Sequence, residues 1–73
     1  AETRIAGEAL PAVAARREFL RARIEGDTVR LTGPQDSSAL AALAAADCLI
    51  DRFAHAPALA AGASVRVFPL HYG

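Results

Sequence analysis

The feature that most constrains this chain is a period-two pattern that turns back on itself. From Glu18 to Ile24, Leu20, Ala22 and Ile24 point one way while Phe19, Arg21 and Arg23 point the other. Strict alternation of this kind suits a half-buried strand. Intrinsic propensity pulls against it, because Ala12 to Ile24 is rich in Ala, Arg, Glu and Leu, all good helix formers. The continuation decides. Glu25-Gly26-Asp27 has the composition of a hairpin turn, and Thr28 to Leu31 is an alternating return strand. Strand, turn and strand support one another, which neither half does alone.

The rest of the chain is read around that hairpin. Residues 1–15 show no clear period; Thr3, Arg4 and Ile5 could start a strand, and Gly7 and Pro11 interrupt any helix. Thr32 to Ser38 is a loop by composition. Asp36 or Ser37 can cap a short helix through Leu40 and Leu43, ending near Asp47. Cys48-Leu49-Ile50 reads as a buried strand that could extend to Phe53, and Ala54 to Gly62 as an irregular turn. Ser64 to Leu70 alternates again, with Val65 and Val67 on one side; Pro69 near its end suits a sheet edge. His71-Tyr72-Gly73 reads as a tail. The expected fold is mainly β, a small partly closed barrel with one short helix near the middle. The chain reads as one domain over 1–73, irregular over 1–15 and with its core in 16–70.

Composition bounds the function. At 73 residues with 53% apolar content, much of it Ala, the core must come from a short list of larger residues, among them Ile5, Phe19, Ile24, Val29, Ile50, Phe53, Val65 and Val67. Eight basic residues balance eight acidic ones, and aromatics are few. A nucleic-acid module would carry a basic excess and stacking rings, so no nucleic-acid partner is expected. Six of the eight arginines fall between Arg4 and Arg30, which leaves room for a local anion site. The single cysteine, Cys48 in an apolar stretch, fits a reducing compartment. No apolar run approaches a membrane span and no signal peptide shows, so a soluble cytoplasmic domain is expected.

Three features could carry chemistry. Arg16-Arg17-Glu18-Phe19, leading into Arg21 and Arg23, is by spacing alone a solvated strand edge; as a site, its guanidinium forks suit tetrahedral oxyanions. The Gly33 to Ser38 loop is at least a helix cap, and two hydroxyls beside free N–H groups can also hold an anion. His55, His71 and Cys48 lack metal-ligand spacing, and Asp36, Asp47 and Asp51 are too isolated to argue for a carboxylate pair.

Taken in order, Arg16 to Arg23, Thr32-Gly33-Pro34-Gln35-Asp36-Ser37-Ser38, Leu40, Leu43, Ala46 to Ile50, and Gly62 with Val65 and Val67 resemble the C-terminal domain (domain IV) of the molybdopterin molybdenumtransferases, the family of bacterial MoeA and the E domain of gephyrin. The resemblance covers about Arg16 to Leu70. It implies a β-clip or small barrel in a transferase that inserts molybdate into adenylyl-molybdopterin to form molybdenum cofactor. It implies Mg²⁺ bound by another domain, a parent enzyme that is a homodimer, and no activity in this domain alone. In such a protein the partners are the other domains and the small-molecule substrates. Aligned to the family's Arg-x-Glu-Phe segment, Arg16 is the implied oxyanion-pocket arginine; in Gln-x-Ser, Ser37 is the implied serine, with Ser38 and Gln35 as second choices.

The chain departs from that pattern in three places. Ala15 stands where Gly or Pro often precedes the arginine, and Pro34 stands where many members have another residue. Asp51-Arg52-Phe53 follows Leu49-Ile50 where the family usually continues with apolar residues and Pro. The rival reading, from another class, is a non-catalytic interaction domain sharing the fold; it predicts an exposed apolar patch and no anion affinity.

Overall fold

A computed structural model describes residues 1–33 and 46–70. Five strands form a closed barrel: β1 (Glu2–Ala6), β2 (Glu18–Glu25), β3 (Thr28–Leu31), β4 (Cys48–Arg52) and β5 (Ser64–Pro69). Around the barrel the order is β1-β3-β2-β4-β5, with β5 returning to β1. The β1–β3 pair is parallel and the others are antiparallel.

The β2–β3 hairpin stands where the alternation placed it. Glu25 pairs with Thr28, leaving Gly26 and Asp27 as a two-residue loop. Gly26 has φ 64°, and a positive φ at the first loop position is what a type II′ hairpin needs from glycine. Leu20, Ala22 and Ile24 do face the core. Val65 and Val67 of β5 are buried as their alternation predicts, and β4 runs on through Asp51 to Arg52. Pro69 does not mark an open edge. It is the last residue of β5, paired with Cys48, and the next N–H, that of Leu70, donates to the Asp47 carbonyl at 2.8 Å.

Three other expectations change. The barrel is closed, not partial. Within the stretch expected to be irregular, residues 2–6 are a strand, the one that Thr3, Arg4 and Ile5 could start, and their lack of period has a cause: opposed residues share a face of the sheet, and β1 sets Glu2 against Val67, Arg4 against Val65 and Ala6 against Val29. Charged residues thus occupy inward positions while Ile5 is 42% exposed. Arg4 donates there from Nη2 to Glu2 Oε2 at 2.8 Å and from Nη1 to the Gly26 carbonyl at 3.1 Å. Finally, the helix expected from Asp36 or Ser37 falls on 34–45, outside the described residues. Its expected end is not helical, since the Asp47 N–H donates to the Ala22 carbonyl of β2 at 2.8 Å.

The core also differs from the list of large residues. Ala22, Cys48, Ile50, Val29 and Val67 are almost fully buried, with Ala6, Leu10 and Val65 beside them. The interior of a barrel of so few strands is narrow and fills with small and β-branched side chains. Phenylalanine is excluded: Phe19 and Phe53 are 49% and 52% exposed. Burial pushes the Cys48 thiol above its ordinary value, with Asp47 adding to the effect.

Two irregular segments extend the β1–β5 pair in the same register. Leu10 pairs with Leu59 through bonds of 2.9 Å in both directions, Val13 N–H donates to Ala56 O, and His55 N–H to Ala14 O. Arg52, buried at the end of β4, fastens both segments by donating from Nη2 to Pro11 O at 2.9 Å and Pro57 O at 2.7 Å. Ladder N–H groups with no strand beside them find carboxylates instead: Glu8 accepts from Leu31 N–H and Asp47 from Ile24 N–H.

Gly7 sits where β1 leaves the barrel. A Cβ there would meet Thr28 Cγ2 at 2.7 Å, Arg30 Cγ at 2.9 Å and the Val29 carbonyl at 3.1 Å. None of these is the free end of a flexible chain. Gly7→Ala is expected to cost about 1–3 kcal/mol, the range for overpacking a tight contact. Urea unfolding checks this; an unchanged midpoint would show that β1 and β3 separate without cost.

Candidate functional site

The residues flagged by sequence as an anion site begin just before β2. Arg16 lies in a bend and is exposed, and it has no hydrogen-bond or ion-pair partner among the described residues. Arg17, its neighbour, is the opposite case. Its Nε donates to Asp51 Oδ1 at 2.8 Å and its Nη2 to Oδ2 at 2.6 Å, a bidentate fork. The guanidinium also lies 5.0 Å from the centroid of Phe19 and 4.8 Å from that of Phe53. Guanidinium over an aromatic face at such distances is a favourable cation–π arrangement.

Asp51 belongs to the outer face of the barrel, opposite Phe19 on β2 and Arg66 on β5. Its carboxylate is nevertheless wholly buried, covered by the side chains it holds. Arg66 Nε approaches Oδ2 at 3.6 Å, and the Arg66 guanidinium lies 5.5 Å from the Phe68 ring centroid. Phe68 in turn meets Phe19 with centroids 6.3 Å apart. One buried carboxylate thus organises two arginines and all three phenylalanines of the chain on a single outer wall. The hydrogen bonds from Arg17 hold the Asp51 carboxyl below its ordinary value, against the opposing effect of burial. The same pairing raises Arg17.

The two sequence-predicted halves of the site stand differently. Arg16 is placed and accessible. Gln35, Ser37 and Ser38 lie outside the described residues, but both flanks of that segment are fixed to β2. Thr32 N–H donates to Arg21 O at 3.1 Å and Asp47 N–H to Ala22 O at 2.8 Å. These anchors are about 16 Å of extended strand from Arg16. Sequence reasoning missed Asp51, treating it as an isolated acid. The available signal was its position: a charged pair, Asp51-Arg52, inside an otherwise apolar strand must find partners when buried. Among the described residues no three His, Cys, Asp or Glu side chains gather as a metal site. No described helix is long and apolar enough to cross a membrane.

The Asp51 pairing has a pH signature. A carboxyl with a depressed folded-state value contributes stability that is present above its unfolded value, near 3.8, and lost as pH falls through the folded value. Asp51→Asn keeps the shape and removes the charge. The urea midpoint of the wild type is expected to fall more steeply below pH 3.8 than that of the variant. Parallel slopes for the two proteins would remove Asp51 as the source.

No curated protein matches the chain. The family model of the MoeA C-terminal region (domain IV) matches residues 3–70. That span takes in β2 to β5 and all of β1 but Glu2, the Arg16–Arg17 pair and the anchors of the 34–45 segment, and on it the chain belongs to the MoeA C-terminal domain family, a family of molybdenum cofactor biosynthesis.

Proposed function

We propose that this domain forms one wall of the site at which a molybdopterin molybdenumtransferase inserts molybdate into adenylyl-molybdopterin. The observation that carries the reading is the state of Arg16. An exposed arginine with no partner among the described residues, in a family that handles an oxyanion, offers an uncommitted guanidinium fork. Arg16 neutralises and orients molybdate. Ser37, with Ser38 and Gln35 beside it in sequence, hydrogen-bonds the oxygens. A segment of the length of 34–45, tethered at Arg21 and Ala22, is long enough to reach Arg16, since an extended chain spans about 3.3 Å per residue.

The contribution is positioning and charge stabilisation, with no nucleophile among these groups. The pterin, the Mg²⁺ and the remaining residues of the site belong to other domains of a parent enzyme, which acts as a cytoplasmic homodimer. The domain alone is inactive.

A second reading keeps one specific observation. Phe19, Phe53 and Ile5 are exposed, which is what a docking domain would show. The two readings separate on a single variant. In the full-length enzyme, Arg16→Ala is expected to raise the KM for molybdate about ten- to hundredfold, the cost of one or two hydrogen bonds to a charged group. Its melting temperature should stay within the range of a neutral surface change. A wild-type molybdate dependence in Arg16→Ala would favour the docking role alone.

A further inference from the structure

Two adjacent arginines lead into β2, and the structure gives them opposite environments. Arg16 is free of partners among the described residues, while Arg17 is gripped by a buried carboxylate and two aromatic faces. The backbone that carries them runs between two fixed points. Upstream, Ala14 O accepts from His55 N–H at 2.8 Å; downstream, β2 first pairs with β4 at Glu18. Ala15 offers no polar side chain and Arg16 has no partner among the described residues, so among them the side-chain tie of this stretch is the one made by Arg17.

That tie is built to be rigid. A bidentate fork fixes the guanidinium plane as well as its position, and Phe19 and Phe53 restrict it further. Asp51 cannot swing away, because it sits in a strand paired on both sides, with β2 and with β5. Through Arg17, the barrel wall holds the residue next to Arg16 in the chain.

We propose that Arg17, anchored on Asp51, is a positioning residue for Arg16: it fixes the entry to β2 so that the neighbouring guanidinium is presented to molybdate without having to be ordered on binding. This rests on the reading of Arg16 given above. Preorganisation of a binding group lowers the entropy lost when its ligand arrives, so the effect falls on the substrate that Arg16 contacts.

The test is steady-state kinetics of the full-length enzyme, with molybdate and adenylyl-molybdopterin varied separately, for wild type, Arg16→Ala, Arg17→Met and Arg17→Lys. Arg17→Met is expected to raise the KM for molybdate about tenfold and to change that for the pterin substrate less than about twofold. Arg17→Lys keeps the charge but not the planar fork, and should recover part of the loss. Should Arg17→Met fail to fold, Asp51→Asn releases the same guanidinium from the other side and is expected to show the same molybdate-specific rise. A molybdate KM at the wild-type value in the Arg17 and Asp51 variants, with Arg16→Ala impaired, overturns the positioning role and leaves the role of Arg16 standing. Equal losses for both substrates, tracking a lower melting temperature, also overturn it, because they reveal a purely structural tie. If Arg16→Ala itself behaves as wild type, the reading of the site fails and this inference fails with it.

Discussion

A sheet closed on itself with five strands leaves little space along its axis, and the other features of this domain follow from that limit. Val29, Val67, Ile50, Cys48 and Ala22 fit inside; a phenylalanine does not. The largest apolar side chains are therefore displaced to the outer wall, where water would meet them. Arginines answer this. Arg17 and Arg66 lay their guanidiniums over Phe19, Phe53 and Phe68, covering ring faces with groups that keep a hydrated edge. Asp51 then supplies the charge that holds both arginines in place.

The cost of this arrangement sits at Asp51. A wholly buried carboxylate is unfavourable unless its oxygens are satisfied, and the bidentate bond from Arg17 with Arg66 close by meets that need. Arg52 shows the complementary solution. It is buried with two backbone carbonyls as acceptors, and it binds the irregular segments around Pro11 and Pro57 to the barrel. Adjacent charged residues on β4 thus serve opposite faces of the sheet, one ordering the outer wall and the other securing the loops.

The hairpin and the last strand were legible in the sequence because their alternation is undisturbed: Leu20, Ala22 and Ile24 on one side, Val65 and Val67 on the other. β1 was legible only as a possible start at Thr3, Arg4 and Ile5, with no period to extend it, because Glu2 and Arg4 take inward positions and are neutralised by contacts with each other and with a turn far along the chain. Ranking core residues by size failed at Phe19 and Phe53 for a related reason. Size favours burial only where volume is available, and closure of the barrel is not visible in local pattern. At the site, the arginine pair could be seen in sequence but not divided. Which of the two is committed depends on Asp51, distant in the chain and opposite Phe19 only once β2 and β4 are paired. Gln35, Ser37 and Ser38 rest on the chemistry of their loop and on family resemblance, as they lie outside the described residues.

The pairing of β1 has a consequence for how the fold is reached. The β2–β3 hairpin closes through two residues and can form early, as a local event. β1 gains only two register pairs from β3, in parallel, and its longer antiparallel pairing is with β5, the last strand of the barrel. The first strand therefore has little to hold it until the final one exists. During synthesis its inward residues, including the charged Glu2 and Arg4, stay in water at small cost, whereas an apolar strand waiting in the same position would be prone to wrong pairings. The same charges that blur the period of β1 keep it soluble while it waits.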